Sequence, residues 1–168
     1  MDTQIENLEI LVSVTHQRLR VQKNGLTIAE FPVSTSKFGT GSQPGSFQTP
    51  LGKFKIAKKI GYNAPLFAVF RARQFTGEIA SLGGSEDLIL TRILWLEGIE
   101  PHNANTFDRF IYLHGTNQEH LLGTPASHGC IRMSNSDIVK LFDWVQEGTP
   151  VQILPTWPQN LENPPLET

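Results

Sequence analysis

This sequence predicts a mainly β fold, sandwich- or barrel-like, with one packed helix. Three observations carry that reading. Apolar residues recur with period two through the opening of the chain, only one stretch combines the 3.6-residue period with helix caps, and loops of Gly, Ser, Thr, Gln and Pro separate the apolar runs. At 168 residues, 39% hydrophobic and 18% charged, the chain suits one globular domain with a sizeable core.

Leu8, Ile10, Val12 and Val14 alternate with other residues, then Leu19 and Val21, then Leu26, Ile28 and Phe31. Asn24-Gly25 between the last two runs is a strong hairpin signal, because both residue types tolerate positive φ. Residues 7 to 35 therefore form a β-meander. Residues 37 to 50 hold hardly an apolar side chain and make a long loop. A strand follows over 54 to 58, with Phe54, Ile56 and Lys58 sharing a face, and residues 66 to 75 continue the sheet.

Residues 77 to 87 read as a second loop, 88 to 95 as the most apolar strand, and 98 to 108 as a third loop. The whole of 88 to 108 looks like a long insert, and with 77 to 87 it is expected to wall a cleft, since long loops in compact domains usually bind or cover something. A short β-run over 110 to 113 delivers His114 at its end. Ser134-Asn135-Ser136-Asp137 has capping-box spacing, Ile138, Leu141, Phe142 and Val145 form one stripe, and Gly148 is a stop, so a helix spans about 135–147. A last strand covers 150 to 154. One domain over 1–154 and a Pro-rich tail over 155–168 complete the organisation.

A formal charge of −2 and the absence of any Lys/Arg run argue against nucleic acid as a partner. A single cysteine allows no internal disulfide. The opening Met-Asp-Thr-Gln-Ile-Glu-Asn is acidic and gives way to alternation, which is neither a signal peptide nor a membrane anchor. The expected location is the cytosol, or the periplasm if a leader precedes the chain.

That lone cysteine stands in Ser127-His128-Gly129-Cys130-Ile131-Arg132-Met133, and a second histidine lies upstream in His114-Gly115-Thr116. A thiol is a nucleophile as thiolate, and an imidazole is the usual acceptor of its proton. One cysteine and two histidines in glycine-bearing turns are the parts of an acyl-transfer site. The plain alternatives are a buried free cysteine and a structural histidine ending a strand. A zinc site drawing on Cys130, His114, His128, His120 and His102 is the competing chemistry, but no CxxC or HxxxH pair accompanies them. Neither a metal nor a cofactor is expected.

These residues, with Ala126 before the turn and Asn135 after it, closely resemble the signature of the L,D-transpeptidase catalytic domain, or YkuD, family. Thr49-Pro50-x-Gly-x-Phe-x-Ile and Gly148-Thr149-Pro150-Val151 look like the same family. The resemblance implies a mostly β cysteine enzyme acting on peptidoglycan stem peptides. Such an enzyme attacks the carbonyl of the third residue and releases the D-amino acid at position four. Cys130 matches the nucleophile and His114 the general base, its ring oriented by the carbonyl of Gly115 rather than by an aspartate. On this likeness no third acidic residue is demanded.

His128 and Gly129 sit in the turn whose N–H groups, with that of Cys130, face the developing oxyanion, and His128 holds the turn's shape. Gly129 is expected because a side chain would crowd the carbonyl. Arg132 offers either a fork to a substrate carboxylate or an ion pair with Asp137. Ser127 and Thr116 are further substrate-side candidates or turn formers, and Asn135 reads as a turn former. Tyr62, Trp95 and His102 read as packing or solvated-loop residues that could line the cleft.

The resulting expectation is an L,D-carboxypeptidase that removes the terminal D-Ala from tetrapeptide stems of soluble muropeptides, in peptidoglycan recycling. Its acyl-enzyme would be a Cys130 thioester, and carbapenem-type inhibitors would acylate the same sulfur. An exported L,D-transpeptidase is the first alternative, and a noncatalytic wall-fragment-binding module the second.

Overall fold

The computed structural model describes residues 5–159. Its strands are β1 (Leu8–Ser13), β2 (Arg18–Lys23), β3 (Leu26–Pro32), β4 (Gly52–Ile60), β5 (Ala68–Arg71), β6 (Gln74–Ile79), β7 (Ile89–Gly98), β8 (Tyr112–Gly115), β9 (Ile131–Met133) and β10 (Pro150–Leu154). One helix, α1, covers Asn135–Trp144. All ten strands belong to a single sheet in the order β3-β2-β1-β10-β4-β7-β5-β6, with β8 paired to β7 and β9 to β8. The pairs β1·β10 and β8·β9 are parallel, and the others are antiparallel.

The predicted meander is present as β1 to β3. Asn24 (φ 51) and Gly25 (φ 80) both sit in the left-handed region, and the Lys23–Leu26 pair closes the hairpin across them. Strand β4 carries a bulge between Ile56 and Lys58. One extra residue reverses the alternation, so Lys58 points out. Lys59 takes the inner side and its Nζ donates to the Val145 carbonyl (2.7 Å) just after α1.

Strand β7 corrects the expectation of an insert over 88 to 108. It is a ten-residue strand paired with β4, β5 and β8, and Leu90, Ile93, Leu94 and Leu96 are fully buried. A near-continuous apolar run is what a strand covered on both faces requires. Only the segment after Gly98 is loop, opening with a 3-10 turn over Pro101–Asn103. The second loop likewise begins later than expected, because β6 extends to Ile79.

Helix α1 begins where expected: Ser134 is its N-cap and accepts from the Asp137 N–H (3.1 Å). It ends at Trp144 rather than near 147, because Val145 is already extended and buries its side chain. Ile138, Leu141, Phe142 and Val145 pack with Leu94, Leu96, Leu113, Ile131 and Met133 in one core, which also takes residues of β1 to β4 and β10. The tail expected over 155–168 lies, beyond residue 159, outside the described residues.

Candidate active site

The site is built on two short parallel strands. Register pairs Leu113 with Ile131, His114 with Arg132, and Gly115 with Met133. Side chains alternate along a strand, so His114 and Arg132 share a face, and Cys130, two residues before Arg132, enters on that same face level with Tyr112. His114 therefore lies within β8 and not at its end. Strand β9 was not foreseen, because three residues are too few to carry a period.

The turn before Cys130 is pinned from several sides. Ser127 Oγ donates to the Cys130 carbonyl (2.6 Å) and accepts the Gly129 N–H (3.2 Å). Thr49 Oγ1 donates to the Gly129 carbonyl (2.9 Å) and accepts the Ser36 N–H (2.9 Å). The N–H groups of Ala126 and Ser127 both reach the Thr35 carbonyl. Because the peptide is planar and trans, fixing the Gly129 carbonyl turns the Cys130 N–H the opposite way. Of the N–H groups expected at an oxyanion, that of Gly129 is committed to Ser127. Gly129 suits its backbone (φ 128), and an added Cβ would stand 3.3 Å from Ile111 Cδ1, closer than ordinary contact.

Cys130 is partly buried against Ala68, Phe70, Ile93, Trp95 and Tyr112. Its Sγ donates to the Phe110 carbonyl (3.3 Å) and accepts the Tyr112 N–H (3.3 Å). Burial pushes the thiol up to about 12, and Asp87 adds to this; the Tyr112 N–H, Arg132 and Arg109 work against it. A thiol held there is neutral at ordinary pH and becomes thiolate only as its proton passes to a base.

His114 is 2% exposed. Its Nδ1 lies 2.6 Å from the Gly115 carbonyl. A carbonyl can only accept, so Nδ1 carries the hydrogen and Nε2 presents its lone pair. Burial lowers the ring's pKa and keeps it neutral, while the Gly115 carbonyl and Asp87 oppose that and Arg132 reinforces it. Gly115 has no room for a side chain: a Cβ would stand 2.5 Å from Asn135 Oδ1 and 2.8 Å from the Leu90 carbonyl.

Of the two readings of Arg132, the structure contains an ion pair, with Asp87 in place of Asp137. Its guanidinium, 1% exposed, meets Asp87 Oδ1 (2.7 Å) and Gln118 Oε1 (3.0 Å). The other oxygen of Asp87 lies 2.9 Å from His128 Nδ1. Burial resists ionisation of Asp87, yet His114, Arg132 and His128 outweigh it and hold the carboxyl below its ordinary value. Asp87 went unnoticed in the sequence, where it ends a polar loop far from either partner.

Thr116 and Ser127 stand away from solvent. Both are buried, and the Thr116 hydroxyl accepts the Gln118 N–H. Asn135 is more than a turn former. Its side chain accepts from Thr91 Oγ1 (2.6 Å) and donates to the Thr116 carbonyl (2.8 Å) and Glu119 Oε1 (2.8 Å). Trp95 stacks on Phe107, Tyr62 stands edge-on to Phe142, and His102 Nε2 bonds the Leu51 carbonyl.

Two loops frame the turn. Residues 80–88 are tied down by Asn117, whose Nδ2 donates to the carbonyls of Gly83 (2.8 Å) and Glu86 (3.0 Å) and whose Oδ1 accepts the Leu88 N–H (3.2 Å). Residues 41–48 are braced by Arg109, which donates to the carbonyls of Gly41 and Gln48. Phe38 and Phe47 of that region are exposed and lie about the His128 ring, with centroids at 5.8 and 6.1 Å. A separate hollow of about 460 Å³, lined by Ile5, Asn7, Leu8, Glu147 and Thr149 among others, offers no cysteine or histidine.

Residues 7–153 match the family model of the L,D-transpeptidase catalytic domain, YkuD. Over 146 residues the chain is 26% identical to a putative L,D-transpeptidase YkuD from Bacillus licheniformis, covering 87% of this chain and 65% of that protein. The chain thus spans just under two thirds of that relative's length. Among solved structures, an L,D-transpeptidase from Mycobacterium smegmatis superposes with a TM-score of 0.59 at 18% identity, over 88% of this chain and 58% of that one. The L,D-transpeptidase LdtMt1 in complex with imipenem gives 0.56 at 21% identity, over 88% and 59%. At these identities the structural likenesses speak for the fold.

Proposed function

This chain belongs to the L,D-transpeptidase catalytic domain (YkuD) family, and from that premise we propose that it is a cysteine-dependent L,D-carboxypeptidase acting on tetrapeptide stems of soluble muropeptides. The observation that carries the chemistry is the 2.6 Å bond from His114 Nδ1 to the Gly115 carbonyl. It fixes the tautomer that leaves Nε2 as a base, on the face of the sheet that Cys130 enters.

In the proposed cycle, Nε2 of His114 takes the Cys130 proton as Sγ attacks the carbonyl of the third stem residue. The new oxyanion is met by the Cys130 N–H that the Thr49–Gly129 bond turns outward. Collapse breaks the peptide bond, Nε2–H gives its proton to the departing amine of D-Ala, and a thioester remains on Sγ. Nε2 then takes a proton from water, whose oxygen attacks the thioester. The tripeptide acid leaves and the thiol is restored. His128 shapes the turn and is not the base.

Water as acceptor, and recycling in the cytosol as the setting, are the finer part of the proposal. The braced loops over 41–48 and 80–88 support it, since they border the turn and favour a small soluble donor over a cross-linked polymer. The names of the relatives favour a second reading, transfer of the acyl group to an amine. By analogy with the imipenem complex of LdtMt1, carbapenems are expected to acylate Cys130.

Incubation with a disaccharide-tetrapeptide, with and without a free D-amino acid, separates the two by product mass. Loss of one D-Ala without exchange is the expected result. Exchange or a cross-linked dimer would make the chain a transpeptidase. No product that depends on Cys130 would leave the binding-module reading standing.

A further inference from the structure

We propose that Asp87 is a positioning residue of this cysteine site: its carboxylate, held across His128 and Arg132, sets the cysteine turn and offsets a buried guanidinium beside the His114–Cys130 pair. The inference rests on the proposed acyl-transfer reading, and it supplies the acidic member that the family resemblance leaves out.

The geometry is specific. Each oxygen of one carboxylate meets one partner, Oδ2 to His128 Nδ1 at 2.9 Å and Oδ1 to Arg132 at 2.7 Å. His128 and Arg132 flank Cys130 by two residues on either side, so the carboxylate spans the nucleophile's own segment. Arg132 is buried, pairs with His114 across the parallel strands, and among the described residues has one neutral side-chain partner, Gln118, besides Asp87. The Nε of that guanidinium is buried with no hydrogen-bond partner among the described residues. A cation so placed, if uncompensated, would oppose a second positive charge on the neighbouring imidazole.

Catalysis requires that second charge, because His114 must become imidazolium whenever it holds the thiol proton. Asp87 makes the step affordable in electrostatic terms: with the guanidinium neutralised, the imidazolium faces a nearly balanced pair. The effects on the two reacting groups have opposite consequences. Asp87 favours protonated His114 and disfavours thiolate at Cys130, whereas Arg132 does the reverse on both. The other charged group that bears on the thiol is Arg109, across the 41–48 loop; His128 faces Asp87. Removing only the carboxylate charge should therefore make the thiol easier to ionise while making turnover slower, a combination that loss of packing does not produce.

The test uses the full chain as wild type, Asp87→Asn and Asp87→Glu. Three quantities are measured: kcat and KM on a disaccharide-tetrapeptide, the pH midpoint of Cys130 alkylation by iodoacetamide, and thermal unfolding. The expected result for Asp87→Asn is a kcat lower by about 10- to 100-fold with KM within about threefold. Its alkylation midpoint moves to lower pH, and Asp87→Glu recovers most of the kcat. A kcat within about twofold of wild type with an unmoved midpoint overturns the proposal, and so does a lowered melting temperature with both readings unmoved. If Asp87→Asn does not fold, Asp87→Ser takes its place with the same two deciding readings. If wild type gives no Cys130-dependent product, the acyl-transfer reading fails, and the alkylation midpoint, which needs no substrate, still decides for or against Asp87.

Discussion

Two segments meet at His128 and Arg132, and they are held in different ways. The cysteine turn is fixed by bonds from strand-borne or strand-flanking groups: Thr49, Thr35, Ser34 and the Tyr112 N–H. The loop over 80–88 has fewer such ties. It hangs on the side chains of Asn117 and Gln118 and on backbone bonds from the Ala80 and Gly83 N–H groups to the Phe67 and Asn117 carbonyls, and among the described residues its ion pairs to the turn run through Asp87. The turn places atoms, and the loop adjusts charge. Damage to the first should therefore cost the reaction its geometry, and damage to the second should retune it.

The sharpest break in that comparison is chemical. Cys130→Ala should abolish turnover and carbapenem adduct formation, read by intact mass, with little change in melting temperature, because Sγ contributes one weak acceptor and one weak donor. Next is Thr49→Val, which leaves the Gly129 carbonyl and the Ser36 N–H without their partner. A stability loss of about 2–5 kcal/mol in urea titration, with kcat reduced as well, is expected from two orphaned buried groups. Should Thr49→Val leave both unchanged, the turn is not held as described.

Asn117→Ala should act on the loop alone. Water replaces its lost bonds near the surface, so a cost of about 1–2 kcal/mol is expected, with faster amide exchange confined to 83–88. The smallest effect is in pH. The folded Asp87 carboxyl lies below its ordinary value of 3.8, so the stability it contributes is full above that value and is lost as pH falls through the folded pKa. Unfolding below about pH 4 should show a steeper loss in wild type than in Asp87→Asn; parallel curves would mean the carboxylate is not bound to the turn.

The two segments also differ in how far the sequence discloses them. Ser127 to Arg132 is legible because an activated thiol needs its turn, glycine and neighbours on contiguous backbone. The hairpin at Asn24-Gly25 and the start of α1 at Ser134 are legible for the same reason, each being a local solution to a local backbone demand. Asp87 is not. A carboxylate in Gly-Gly-Ser-Glu-Asp looks solvated, and its partners lie 41 residues on or more. Strand β7 was half-legible, as apolar and extended, but its central place depends on three partners that only the fold supplies. The bulge in β4 leaves no signal at all: Ala57 is an ordinary residue, and only the pairing with β7 shows that it is one too many.

Phe110 takes a left-handed backbone (φ 57), unusual for an aromatic residue, and its carbonyl accepts the Cys130 S–H. The consequence reaches beyond catalysis. It is thiolate that attacks peroxides and disulfides, and a sulfur whose hydrogen rests on a carbonyl offers almost none. The chain's one cysteine thus meets oxidants as a thiol, its hydrogen directed at the Phe110 carbonyl.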